Sequence, residues 1–145
     1  METIRVKCLR QGAILPTYGS AGAAGADLYA CLTEPVVIHP GQTVFIPTGL
    51  AMELPVGCAG LVYARSGMAC KQGLAPANKV GVIDSDYRGE ITVALHNHGA
   101  EPRTVEPGQR VAQLLITPVL QTAYEVSETL SDTARNAGGF GSTGK

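Results

Sequence analysis

A chain of 145 residues, 45% hydrophobic and with a formal net charge of -1, has the length of one domain with a proper core. That charge excludes the broad basic field that long nucleic acid requires, and the apolar runs fall far short of the roughly 20 residues that span a bilayer. The expected partners therefore include no nucleic acid and no membrane, while a small anionic ligand stays compatible if local donors and a metal ion receive it.

Eighteen Gly and nine Pro cut the sequence into short segments. Residues 3–9 alternate polar and apolar, the pattern of a half-buried strand. Residues 19–25 are small and read as a loop leading to residues 26–30. Two short strands, 36–38 and 43–46, flank the turn Pro40-Gly41. Segments 50–54 and 59–63 follow, separated by Pro55 and Gly57. Ser66 reads as the cap of one short helix. Residues 79–84 and 90–96 read as the strands of a hairpin with a polar tip at 85–89. A strand at 110–116 follows Pro107-Gly108, and 119–126 is a candidate for another. From Ser127 the core pattern does not return. Short strands with a turn every 8–12 residues predict an all-β sandwich or barrel with one short helix.

Cys8, Cys31, Cys58 and Cys70 show no metal-like spacing. They are expected as free thiols in a reducing cytoplasm, and the first residues lack a signal-peptide pattern.

Three places concentrate chemistry. In the C-terminal segment, amides between glycines can form an anion nest, Ser142 and Thr143 add hydroxyls, and Phe140 offers a face for a base. Residues 139–145 also satisfy the first seven positions of a Walker A loop, but no strand leads in and no helix follows. Ordering such a segment costs about 1–2 kcal/mol per residue, more than one stacked ring returns, so Arg135 is expected to add charge-assisted bonds to phosphate. At the hairpin, Asp84 and Asp86 lie beside Tyr87. Asp84, after Val82-Ile83, suits a partly buried general base, whereas Asp86 also reads as a turn cap. Arg65 before Ser66 reads either as a phosphate site or as an ordinary cap with a surface Arg. His96 and His98 read as a solvated strand end rather than metal ligands.

Together these segments resemble the trimeric, all-β deoxyuridine triphosphate nucleotidohydrolase (dUTPase) family, whose five motifs occur here in order. They are residues 24–30, residues 65–69, residues 78–89, residues 110–114, and Arg135 with residues 138–144. Ala64 stands where the second motif often has Pro, and Asn136-Ala137 replaces a commoner Gly-containing pair in the fifth.

The resemblance implies a distorted jelly-roll of the β-clip type over residues 1–130. It also implies a mobile flap at 131–145 and a homotrimer whose three active sites are each shared between chains. It further implies hydrolysis of dUTP to dUMP and pyrophosphate with Mg²⁺, limiting uracil in DNA and supplying dUMP for thymidylate synthesis. By the same resemblance Asp84 is the general base, and Asp27 meets the hydrated ion or orients Asp84. Arg65, Ser66 and Gly67 bind phosphates, and Gln113 places water or phosphate. Asn78 and the backbone of Gly81, Val82, Ile83 and Asp84 read uracil, Tyr87 packs on the deoxyribose, and Thr92 adds a backbone contact. Phe140 stacks on the base, while Arg135, Gly141, Ser142 and Thr143 complete the flap. A deoxycytidine triphosphate deaminase on the same fold is disfavoured by the Gly-rich tail and by Asp84.

Overall fold

The computed structural model describes residues 3–139. Phe140, Gly141, Ser142 and Thr143, expected in the flap, lie outside them. Among the described residues there are twelve strands and one helix. In chain order these are β1 (Arg5–Cys8), β2 (Thr17–Tyr18), β3 (Ala26–Tyr29), β4 (Val36–Ile38), β5 (Thr43–Pro47), β6 (Leu50–Glu53), β7 (Cys58–Tyr63), α1 (Ser66–Gln72), β8 (Leu74–Pro76), β9 (Val80–Ile83), β10 (Thr92–Asn97), β11 (Arg103–Val105) and β12 (Arg110–Pro118).

The strands form four antiparallel sheets. The largest runs β2-β3-β12-β7-β9, a second runs β5-β10-β8, and the pairs β1-β6 and β11-β4 complete the set. The sheets do not close into a barrel. Between them lies an aliphatic core that includes Leu28, Ile38, Ile46, Leu50, Leu95 and Val111, all essentially without solvent contact. Every buried side-chain polar atom among the described residues has a partner. Asn97 illustrates why: deep in the core, its amide donates to the carbonyls of Ile38 and Glu101 and its oxygen accepts from Gly99 N–H, so burial leaves nothing orphaned. No helix among the described residues is long and apolar enough to cross a membrane.

Three expectations need correction. The segments around 79–84 and 90–96 do not form a hairpin ladder. β9 pairs with β7, while β10 pairs with β5 and β8. The two strands enter different sheets, and a cleft lined by residues of both lies between them. Second, Ser66 is the first helical residue and not the cap. Arg65 is the N-cap, in extended conformation, and no side chain caps the helix. Third, residues 119–126 form no strand. Val119 N–H donates to Gly57 O, and the later main-chain bonds, Asn136 to Thr133 and Gly138 to Arg135, are internal to the tail. Leu120, Tyr124, Val126 and Leu130 project into solvent, Tyr124 at 97% exposure, since no strand edge of this chain receives them.

Candidate active site

The divergence of β9 and β10 opens a cleft of about 230 Å³. Asn78, Gly81, Val82, Ile83, Asp84, Tyr87 and Thr92 all line it. The structure therefore brings together every residue expected to handle the base and sugar within the described residues. β9 is the outer strand of its sheet, so one side of its main chain has no ladder partner. Such an edge presents N–H and C=O groups in a fixed row. Gly81 keeps the space beside Asn78 open: a Cβ there would stand 3.1 Å from Asn78 Nδ2 and 3.3 Å from Val62 Cβ, so both would have to give way. Lys79, at φ 65°, turns the chain so that Asn78 precedes β9 at the cleft; Val80 N–H donates back to Asn78 O at 2.7 Å.

Asp84 follows β9 and starts a turn in which Tyr87 N–H donates to its carbonyl at 3.1 Å. The turn swings its carboxylate outward, so in this chain Asp84 is exposed and not partly buried as expected. Arg88 braces the turn, donating from Nη1 to the carbonyls of Ser85 and Tyr87. Tyr87 Oη donates to the Glu90 carbonyl at 2.9 Å, and its ring lies against Gly89, where a Cβ would meet Cζ at 2.6 Å.

Among the lining residues absent from the sequence-based expectations, Phe45 and Glu90 stand out. Phe45, 70% exposed, lies opposite Ala94 in the β5–β10 ladder and lines the cleft. Its signal is present in the sequence, because period two along β5 puts Phe45 on the face opposite the buried Ile46. Glu90 gives no such signal. Its carboxylate accepts from Arg10 Nε and Nη2, both at 2.8 Å, and from Gly49 N–H at 2.9 Å. The Arg10 guanidinium holds the Glu90 carboxyl below the usual carboxylate range, and Glu90 raises Arg10 in turn.

A second cavity, of about 430 Å³, opens at the start of α1 and is rimmed by Arg65, Gly67, Lys71 and Arg110. Ser66 is exposed beside it at the first helical position. Asp27, 5% exposed on β3, organises the rim. Its Oδ1 accepts from Arg65 Nε at 2.9 Å and its Oδ2 from Arg110 Nη1 at 3.3 Å. A carboxylate committed to two guanidinium groups acts first as their anchor. Gln113 sits opposite Asp27 in the β12–β3 ladder and opposite Tyr63 in the β12–β7 ladder. Arg135 Nε donates to Gly138 O at 2.8 Å, within the tail's own turn. Among the described residues no three His, Cys, Asp or Glu side chains converge as a metal cage.

A cleft walled by neutral main chain suits a base, and a cavity rimmed by cations suits phosphate. The two together define an all-β protein that handles a nucleotide. Comparison with known proteins narrows the class. The dUTPase family model matches residues 11–144. The deoxyuridine 5'-triphosphate nucleotidohydrolase of Desulfitobacterium hafniense is 56% identical over 131 residues, covering 90% of this chain and 87% of that one. The dUTPase of Staphylococcus bacteriophage 80alpha, solved with dUpNHpp, matches at 27% identity and a TM-score of 0.91, with all of both chains covered. A mutant dUTPase from phage phi11 of S. aureus, described with a structural Mg(II) ion, matches at 25% identity and a TM-score of 0.79, covering 88% of this chain and 98% of that one. The chain belongs to the dUTPase family.

Proposed function

We infer that the protein is a dUTP diphosphatase, hydrolysing dUTP to dUMP and pyrophosphate by attack of water on the α-phosphorus. The observation that carries this reading is the shared cleft: Asn78, β9, Asp84, Tyr87 and Thr92 line one cavity of base size. Uracil presents acceptor, donor and acceptor along its pairing edge. The outer side of β9 and the Asn78 amide offer the complementary groups, whereas cytosine reverses part of that pattern. Tyr87 covers the deoxyribose, and a ribose 2'-hydroxyl would meet its ring. Thr92 adds a main-chain contact from the facing strand.

Asp84, at the mouth of the cleft, takes a proton from the attacking water. Arg65, Ser66 and Gly67 hold the phosphates with Gln113, and Asp27 keeps Arg65 and Arg110 aimed. The donor set fits Mg²⁺ held mostly by triphosphate oxygens and water, the habit of an ion that sheds its shell reluctantly. When bound, the ion neutralises triphosphate charge. The unpaired thiols suit a reducing, cytoplasmic setting.

The assembly belongs to the same proposal. The cleft and the cationic cavity share no lining residue, and large apolar side chains of the tail stand in solvent, a feature of surfaces that await a partner. Three copies, each lending its cleft to a neighbour's cations and its tail to the third, form complete sites. Residues 131–145 then act as a flap, with Phe140 on the base and Arg135, Gly141, Ser142 and Thr143 at the phosphates.

Pyrophosphate release with Mg²⁺, compared for dUTP, dCTP, dTTP and UTP, tests the activity. Strong preference for dUTP is expected; no turnover of dUTP, or ammonia release from dCTP, overturns it. Light scattering at the peak of a sizing column tests the trimer, and a monomeric or dimeric mass would reject it.

A further inference from the structure

We propose that Arg10 is a positioning residue for sugar discrimination, acting on Tyr87 through Glu90. This rests on the reading of Tyr87 as the residue that meets the deoxyribose. Arg10 lies after β1, 80 positions from Glu90 in sequence; it does not itself line the cleft, and its guanidinium bonds there are to Glu90. Its guanidinium grips both oxygens of Glu90 as a fork, the geometry that fixes direction as well as distance. Gly49 N–H adds a third donor. Only glycine fits at position 49: its φ is 70°, and a Cβ would stand 2.9 Å from both Ala13 Cβ and Cys31 Sγ.

The grip matters because of what Glu90 carries. Its carbonyl accepts the Tyr87 hydroxyl, and the preceding Gly89 is the floor against which the Tyr87 ring rests. On one side of Glu90, the chain is pinned just before β10, with Ile91 N–H on Leu50 O and Ile91 O accepting from Thr48 Oγ1. On the other side lies the exposed turn braced by Arg88. Glu90 is the joint between a fixed strand and that turn, and Arg10 and Gly49 lock it. Loosening the lock lets the ring shift, and a ring that shifts admits a 2'-hydroxyl.

The experiment measures kcat and KM for dUTP and for UTP in wild type, R10A, R10K and Y87A, with a thermal melt of each. R10A is expected to lower the dUTP-to-UTP ratio of kcat/KM about tenfold, below the roughly 10²-fold that a full 1 Å misplacement costs, while kcat for dUTP stays within about twofold. R10K keeps the charge but cannot make the fork, so it is expected to regain melting temperature while keeping most of the loss in ratio. Should R10A fail to fold, R10K alone decides. A ratio unchanged in the Arg10 variants but lost in Y87A overturns the proposal and leaves the Tyr87 reading standing. A ratio unchanged in Y87A removes that reading and the proposal with it.

Discussion

The cleft and the C-terminal tail are held in opposite ways. The cleft's walls are strands laddered into the body of the chain: β9 on β7, β10 between β5 and β8, with Leu95 and Val93 of β10 in the core. The described tail after Val119 has bonds only within itself and keeps its apolar side chains in water. Under the proposed function, the walls that would read the base are thus organised within one chain, whereas closing over it would fall to a tail whose described part makes hydrogen bonds only within itself. Ordering that segment consumes binding energy at about 1–2 kcal/mol per residue, so closure is suited to depend on a complete triphosphate.

Breaking the comparison on the cleft side gives the largest effects. D84N is expected to lower kcat about 10²- to 10⁴-fold, the usual worth of a positioned base, with dUTP affinity by calorimetry almost unchanged. Equal losses in affinity and turnover would show that Asp84 binds rather than catalyses. L95A, which empties a fully buried site on β10, is expected to cost about 2–5 kcal/mol in denaturant unfolding. A wild-type melting curve for L95A would mean that the cleft wall is not anchored to the core.

On the tail side the expected effects are smaller and of a different kind. F140A removes one stacked ring, about 1–3 kcal/mol, or roughly 5- to 150-fold in kcat/KM, and leaves the melting temperature in place. A fall in stability with unchanged kcat/KM would reverse the assignment, making the tail structural.

The smallest effect lies at the Glu90 joint. Its carboxyl is held below its ordinary 4.5 in the folded protein, so it binds fewer protons folded than unfolded. That stability is present above about pH 4.5 and is lost as pH falls through the folded value. Melting temperature between pH 3 and 6 is expected to fall less steeply in E90Q than in wild type; parallel curves would rule out the linkage.

What is legible in the sequence follows from separation along the chain. The segment from Gly81 to Gly89 reads as one site because a strand end and a turn keep its residues near one another, whereas Asn78 and Thr92 join it only through the family resemblance. The pairing of those strands is not legible, since period two gives a strand its faces and not its neighbour: β9 finds β7 and β10 finds β5 across intervening elements. Strands of two or three residues, such as β2 and β11, are too short to show any period. Arg10 and Glu90 are invisible as a pair because nothing local in either segment asks for an ion 80 positions away. Ser66 has the right chemistry for a cap, but its neighbour Arg65 takes the position while its side chain turns to Asp27.

The unladdered side of β9 carries a consequence for how this protein can drift in sequence. Main-chain groups belong to positions and not to residue types. Val82, 61% exposed, can be exchanged for other β-formers while the row of amides and carbonyls beside it stays as it was. Gly81 has less latitude, because an added carbon would stand 3.1 Å from Asn78 Nδ2 and 3.3 Å from Val62 Cβ, so those neighbours would have to give way. Under the proposed reading of the base by this backbone, its specificity is shielded from most point mutations and most sensitive at the glycine that lets Asn78 come close.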